Sequence, residues 1–273
     1  MMKKLIVFTD LDGSLLDHHD YDWTAATPAI ETLQQLDFPL IFNSSKTAEE
    51  IKYLRQSMNL KSPYICENGS VIHFNKDITQ AVEFEPQTKL FAKPYKTIKQ
   101  TLESLQHKYN YQFIGFADMS AEDVMDYTGL DLRSAKAALK REATEPVIWR
   151  DSDEKLEHLR QQLLQHDLLI TKGGRFYHIM SQVNKGDAIR YITEKYRQAE
   201  PLSEWITIGL GDSLNDLPML EQVNYPVLIH NPAGNRPDVS HLTGLTETEL
   251  SGPQGWNQAV LSILKTITGN NHG

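Results

Sequence analysis

The chain has a single cysteine, Cys66, among 273 residues. An intramolecular disulfide is therefore excluded, and the composition suits a reducing compartment. Cys66 itself, within Tyr64-Ile65-Cys66, reads as a small apolar residue of a short strand. Cysteines and histidines do not recur at zinc spacing, which argues against a soft-metal centre. No apolar run approaches the length that crosses a bilayer, and there is no internal repeat or low-complexity tract. Positive charge is in deficit: 27 Lys+Arg face 36 Asp+Glu, a formal net charge of −9. That balance disfavours a nucleic-acid partner held through its phosphates. The start Met1-Met2-Lys3-Lys4 is basic, but Asp10 and Asp12 interrupt what would be a signal core. The expectation is a cytoplasmic protein without a membrane partner, a monomer or homodimer acting on a small molecule.

What is present is an ordinary apolar fraction, 40%, with 9% aromatics, enough to build a core for one large or two modest domains. The most informative stretch is Leu5-Ile6-Val7-Phe8-Thr9-Asp10-Leu11-Asp12-Gly13-Ser14. An apolar strand ends in two aspartates one residue apart. The same design recurs as Trp205-Ile206-Thr207-Ile208-Gly209-Leu210 followed by Gly211-Asp212-Ser213-Leu214-Asn215-Asp216. A polar turn is the plain alternative for either loop alone. If the two strands lie side by side and parallel, Asp10, Asp12, Asp212 and Asp216 converge. Gathered carboxylates repel, and burial worsens the conflict. A hard cation with oxygen ligands, Mg2+, resolves it.

Strand and helix patterns alternate at both ends of the chain. Strands are expected at 4–9, 40–43, 64–66 and 71–74. A helix opens at Thr27-Pro28, another at Thr47, where Glu50 completes a capping box, and Asn68-Gly69 signals a hairpin. From about 84 to 180 the chain is richer in charge, with helices near 88–108, 120–127, 131–142 and 153–165. Strand candidates there lie near 111–116, 146–150, 168–172 and 175–180. After Lys185 come a helix at 185–198, a strand at 205–209, a helix at 215–222, a strand at 226–229 and a last helix near 254–267. The expected fold class is α/β, a doubly wound and mostly parallel sheet with an inserted α+β cap. The division is 1–83 core, 84–180 cap and 181–273 core.

Four segments in order carry a resemblance: Asp10–Ser14, Ser44 after Ile41-Phe42-Asn43, Lys185 in Asn184-Lys185-Gly186-Asp187, and Gly211–Asp216. Together they resemble the haloacid dehalogenase-type phosphohydrolases. Asn43-Ser44-Ser45-Lys46-Thr47, Glu67-Asn68-Gly69, Ile148-Trp149-Arg150-Asp151 and Gly174-Arg175-Phe176-Tyr177-His178 look like the mannosyl-3-phosphoglycerate phosphatases within them. The segment at 184–187 also fits the guanine-reading tetrapeptide of GTPases, but no GxxxxGK[ST] loop accompanies it.

The resemblance implies a phosphatase that uses Mg2+. Asp10 is then the nucleophile and Asp12 the general acid and base. Asp10, Asp12 through its backbone carbonyl, and Asp212 would hold the metal, and Asp216 would act on its water shell or on Lys185. Ser44 would donate to the phosphoryl, with Ser45 as a stand-in, and Lys185 would lower the local negative charge. Gly13 permits close backbone approach to phosphate. A carboxylate on the substrate calls for arginine, with Arg175 after Gly174 the first candidate and Lys46, Arg133 and Arg150 behind it. His178, Glu67, Asn68 and Asn215 complete the candidate set for the sugar end, and Tyr21 and Trp23 are candidates to wall the pocket. The competing expectations are a phosphatase of another sugar phosphate, a sugar phosphomutase, and a non-catalytic sugar-phosphate sensor, which would have no need of Asp10.

Overall fold

The computed structural model describes residues 2–74, 87–172, 176–232 and 236–269. In chain order the first elements are β1 (Met2–Thr9), α1 (Thr27–Gln35), β2 (Leu40–Phe42), α2 (Ala48–Ser57), β3 (Tyr64–Cys66), β4 (Val71–His73) and β5 (Thr88–Leu90). The middle contributes α3 (Tyr95–Tyr109), β6 (Phe113–Gly115), α4 (Ala121–Thr128), α5 (Leu132–Ala138), β7 (Thr144–Trp149), α6 (Asp153–Leu164), β8 (Leu168–Lys172) and β9 (Tyr177–Ser181). The last stretch holds α7 (Lys185–Ala199), β10 (Ser203–Gly211), α8 (Leu217–Leu220), β11 (Tyr225–His230), β12 (Thr246–Ser251) and α9 (Gly252–Gly269).

The central sheet has the order β12-β11-β10-β1-β2, and every pairing in it is parallel. A parallel sheet must be covered on both faces, and the sequence of β1 provides for that. Leu5 and Val7 point to one cluster with Ile30 and Leu33 of α1, Ile51 of α2, and Trp256, Val260 and Leu264 of α9. Ile6 and Phe8 point to the other with Ile189 and Ile192 of α7 and Met219 and Leu220 of α8. The fully buried Trp256 donates its indole N–H to Thr9 Oγ1 at 2.9 Å, fixing the end of β1 from the helix side.

β3, β4 and β5 form a small antiparallel sheet. A separate antiparallel sheet has the order β6-β7-β9-β8, with α3 and α6 packed on it through Ile98, Leu102, Leu105, Leu159 and Leu163. Phe116, Val124, Ala135 and Ala138 form a further cluster between α4, α5 and this sheet.

Two expectations about elements are corrected, and one strand had not been expected at all. The helix expected from 88 is a strand, β5, and α3 begins only after Pro94, because the residue before a proline is held out of helical conformation. The helix expected over 215–222 is a turn of 3-10 helix, Leu214–Asp216, and the short α8. β12 was not anticipated: Thr246-Glu247-Thr248-Glu249-Leu250-Ser251 is an exposed edge strand with a single aliphatic residue, so it lacks an apolar signal.

Candidate active site

β1 and β10 are adjacent and parallel, with Thr9 opposite Leu210. Each chain then turns out of the sheet at its carboxyl edge, and the acidic residues of the two loops meet. The Asp10 N–H donates to Leu210 O at 2.9 Å. Carboxylate oxygens of Asp10, Asp212 and Asp216 lie within 4.8 Å of one another, all three residues being buried. Lys185, the first residue of α7, reaches between them and is itself buried. Its Nζ donates to Asp10 Oδ1 at 2.7 Å and to Asp216 Oδ1 at 2.6 Å.

The charges do not balance. Burial pushes the Asp10 carboxyl well above the usual range; Lys185 opposes this, and Asp216, Asp212 and Asp12 add to it. Burial, reinforced by Asp216, also raises Asp212 to about 6, against the pull of the Asn231 hydrogen bond and of Lys185. For Lys185 burial works against the charge, but Asp10 and Asp216 outweigh it and hold the pKa above that of an ordinary lysine. Three carboxylates and one ammonium therefore share a site poor in water. A hard divalent cation relieves the excess, and an all-oxygen donor set suits Mg2+ rather than zinc.

Asp216 differs from the other two. Its Oδ2 accepts from the Asp212 and Ser213 N–H groups at 3.0 and 3.1 Å and from Ser213 Oγ at 3.1 Å, while Oδ1 holds Lys185. Both oxygens are engaged within the protein, and the Oδ1 bond is in keeping with the role on Lys185 expected for Asp216, which is also one of the three carboxylates gathered closely enough to hold an ion. Asp212 is oriented by Ser14 Oγ, which donates to Oδ1 at 3.4 Å, and by the Asn231 side-chain amide, which donates to Oδ2. Gly13 has φ +79°, and a Cβ there would lie 2.6 Å from Asp212 Oδ2, so only glycine lets the two loops meet. The Asp12 carboxylate faces Lys46, with Nζ 2.9 Å from Oδ1. Burial opposes the charge on Lys46, but Asp12 and then Glu50 outweigh it and raise its pKa.

The loop after β2 forms the next wall. The Asn43 side-chain amide donates to Lys185 O at 3.0 Å, and the Ser44 hydroxyl accepts from the Lys46 N–H at 3.2 Å. Lys46 Nζ also lies 5.1 Å from the Tyr21 ring centre. Turn residues Glu67 and Asn68 both have left-handed backbones, φ 51° and 58°. The Asn68 N–H donates to Ser44 O at 2.9 Å, and its side-chain oxygen accepts from the Asn215 amide at 3.2 Å. At Gly69, φ +94°, a Cβ would lie 2.2 Å from Asn184 O, so this turn sits directly against the start of α7.

Glu67 is placed otherwise than expected of a sugar ligand. Its fully buried carboxylate accepts from the Glu142 N–H at 2.7 Å, the Ala143 N–H at 3.1 Å and the Thr144 hydroxyl at 2.6 Å. It ties the β3–β4 turn to the start of β7. Arg141, passed over in the sequence, belongs to the same junction. Its Nη1 donates to Ser45 O at 3.2 Å and its Nε to Ala138 O at 2.9 Å. His178 on β9 keeps a neutral ring: burial, with Arg141 adding, pushes its pKa down to about 4. Its Nδ1 is a buried atom with no hydrogen-bond partner among the described residues.

Arg133 and Arg150 are not brought to the carboxylate cluster. The Arg133 guanidinium stacks 3.6 Å from the Tyr53 ring centre, in a cleft between α2 and α5. The exposed Arg150 donates to Tyr127 Oη at 2.6 Å. Gly174 and Arg175 lie outside the described residues. Asn231 and Arg141 are the polar groups that sequence reasoning missed. Asn231 follows β11, the strand beside β10, and that place at the carboxyl edge was its one available signal.

Residues 7–246 match the haloacid dehalogenase-like hydrolase family. The chain belongs to that family. A relative from Methanococcoides burtonii named glucosyl-3-phosphoglycerate/mannosyl-3-phosphoglycerate phosphatase is 39% identical over 96% of this chain and 97% of its own. A relative of the same name from Persephonella marina is 32% identical over 96% and 98%. Among solved structures, one from Thermotoga maritima superposes with a TM-score of 0.67 at 18% identity, covering 96% of this chain and 97% of that one. The sucrose-phosphatase of Synechocystis sp. PCC6803 gives 0.57 at 16% identity over 96% and 98%. These two likenesses carry the haloacid dehalogenase-like fold alone. With the family and the named relatives together, the chain is an enzyme, a phosphatase of phosphoric monoesters. No helix among the described residues is long and apolar enough to cross a membrane.

Proposed function

We propose that this haloacid dehalogenase-like enzyme is a Mg2+-dependent phosphatase of 2-O-mannosyl-3-phosphoglycerate or its glucosyl counterpart, releasing the glycosylglycerate and phosphate in the cytoplasm. Residues 1–83 and 181–273 act as the catalytic core and 84–180 as its cap. The observation that carries the reading is the buried meeting of Asp10, Asp212, Asp216 and Lys185 at the carboxyl ends of β1 and β10. The relatives' names supply the substrate.

Uncatalysed phosphate-monoester hydrolysis is among the slowest reactions in water, so charge neutralisation and in-line positioning are the main demands. An Asp10 carboxylate oxygen attacks phosphorus while the bond to the glycerate oxygen breaks, giving an aspartyl phosphate. Asp12 gives its proton to the leaving oxygen. In the second half Asp12 takes a proton from the water that attacks phosphorus, and Asp10 is restored. Lys185 offsets charge on Asp10, Asp216 holds Lys185 in place, and Ser44 donates to a phosphoryl oxygen. Asp10, Asp212 and the Asp12 carbonyl would hold Mg2+, which supplies positive charge to the phosphoryl group. His178, neutral and with one ring nitrogen unpaired among the described residues, is suited to a sugar hydroxyl.

The test is phosphate release across a panel of sugar phosphates, with and without Mg2+. Both glycosyl-3-phosphoglycerates should be turned over fastest, with activity lost to chelator and restored by Mg2+. The Asp10→Asn variant should fold and lose at least about 10⁴-fold in kcat. Equal turnover of unrelated sugar phosphates would reject the substrate, and an active Asp10→Asn variant would reject the chemistry.

A further inference from the structure

Between α2 and α5 lies a cleft of about 890 Å3, lined in part by Lys52, Arg133, Lys136, Lys140 and Arg141. Neither Asp10, Asp12, Ser44, Lys46, Lys185 nor Asp212 lines it. The five cations face only two acids, Glu49 and Glu142. Both acids are already engaged, Glu49 with Lys52 and Glu142 with His73 at 2.7 Å. Among the described residues no carboxylate lies within ion-pair distance of Arg133, Lys136 or Lys140.

These three residues follow an i, i+3, i+7 spacing, which puts them in one stripe along α5 and the turn just beyond it. The stripe faces Lys52 and Tyr53 of α2 across the cleft. Unpaired cations gathered in a concavity repel one another, and the cleft's low-dielectric walls focus their field. A surface with a net charge of −9 has acids to spare for neutralising them, yet none is placed here. Apart from His73, the remaining lining is apolar or flat: Ala48, Tyr53, Leu132 and Ala137. Cationic heads over such walls, in a volume typical of small-molecule sites, suit a small organic anion with two or more charges.

We propose that this cleft is a second, non-catalytic binding site for a small polyanion, a phosphate ester or a polycarboxylate, that bridges α2 and α5. The site has a route to the catalytic loop. The Thr47 hydroxyl donates to Ala137 O at 2.9 Å, and Arg141 donates to Ser45 O. A ligand that draws α5 toward α2 therefore acts on the segment that carries Ser44, Ser45 and Lys46.

The experiment is calorimetric titration of the metal-free full chain with inorganic pyrophosphate in one arm and citrate in the other. The parent is compared with Lys136→Gln/Lys140→Gln and with Lys136→Arg/Lys140→Arg. The expected result is a saturable event whose affinity falls at least tenfold in the glutamine pair and survives in the arginine pair. Turnover without added anion should be unchanged in both. Whichever probe binds more tightly identifies the anion class. If the glutamine pair binds both probes as the parent does, or if the parent binds neither, the site does not exist. The readout is binding alone, so its failure is separate from any failure of the catalytic reading.

Discussion

His178 shows how a single side chain takes on a protonation state that its solution chemistry would not give it. Burial and the Arg141 guanidinium push its pKa down to about 4. In the unfolded chain the same imidazole titrates near 6.5. Between about pH 4 and 6.5 the unfolded chain therefore binds one proton more than the folded one, so stability rises with pH through that window and is lost as pH falls. The expected loss on acidification is on the order of 2 kcal/mol from this residue, allowing for its partial solvation. Urea midpoints of parent and His178→Gln at pH 4.5 and 7 provide the check. The variant should lose less stability than the parent on going to pH 4.5, and parallel losses would refute the assignment. At neutral pH the ring is a neutral hydrogen-bonding group.

At the scale of elements, the β3–β4 turn joins three segments that are distant in the chain or the fold. Its backbone bonds reach Ser44 and Lys46, Gly69 abuts the start of α7, and Glu67 holds residues 142–144. Removing that carboxylate leaves two N–H donors and a hydroxyl buried without an acceptor. Glu67→Ala should therefore destabilise by about 3–5 kcal/mol, and Glu67→Gln by about 1–3 kcal/mol, since the amide nitrogen cannot accept. Chemical denaturation measures both, and a loss under 1 kcal/mol for the alanine variant would show that the junction is not held there. This turn also shows where sequence reading stops. The hairpin was visible in Asn68-Gly69, and Asp10 and Asp212 were visible as acidic residues ending apolar strands; Lys185 stood out only through the family resemblance. The hairpin and strand-end signals are local in the chain. The partners of Glu67 lie more than 70 residues away, and Arg141 sits in a charged stretch that looks like any solvated helix end. β5 and β12 were invisible because each is a short, largely exposed edge with no apolar alternation.

At the scale of the whole molecule, the carboxylate cluster joins segments almost 200 residues apart: Ser14 and Asp212, linked by a hydrogen bond, are separated by 198 positions. β1 and β10 are held to each other by their ladder, but their loops gather three buried carboxylates around one lysine. Folding without a cation leaves that repulsion standing, and an ion that binds only the folded state stabilises it by mass action. At a hundredfold excess over its dissociation constant the gain is roughly 2.7 kcal/mol, which for a chain of this size corresponds to about 5–10 °C in Tm. Mg2+ should therefore raise the Tm of metal-stripped protein by that amount, and chelator should reverse it. Asp212→Asn should abolish most of the shift, because it removes negative charge from the cluster without releasing Lys185, which Asp10 and Asp216 hold. Asp216→Asn should instead lower Tm with and without the ion, since it releases Lys185 and the Asp212–Ser213 turn. A Mg2+ shift that is the same in the parent and in Asp212→Asn would place the ion elsewhere, and the meeting of the two acidic loops would then need no metal to explain it.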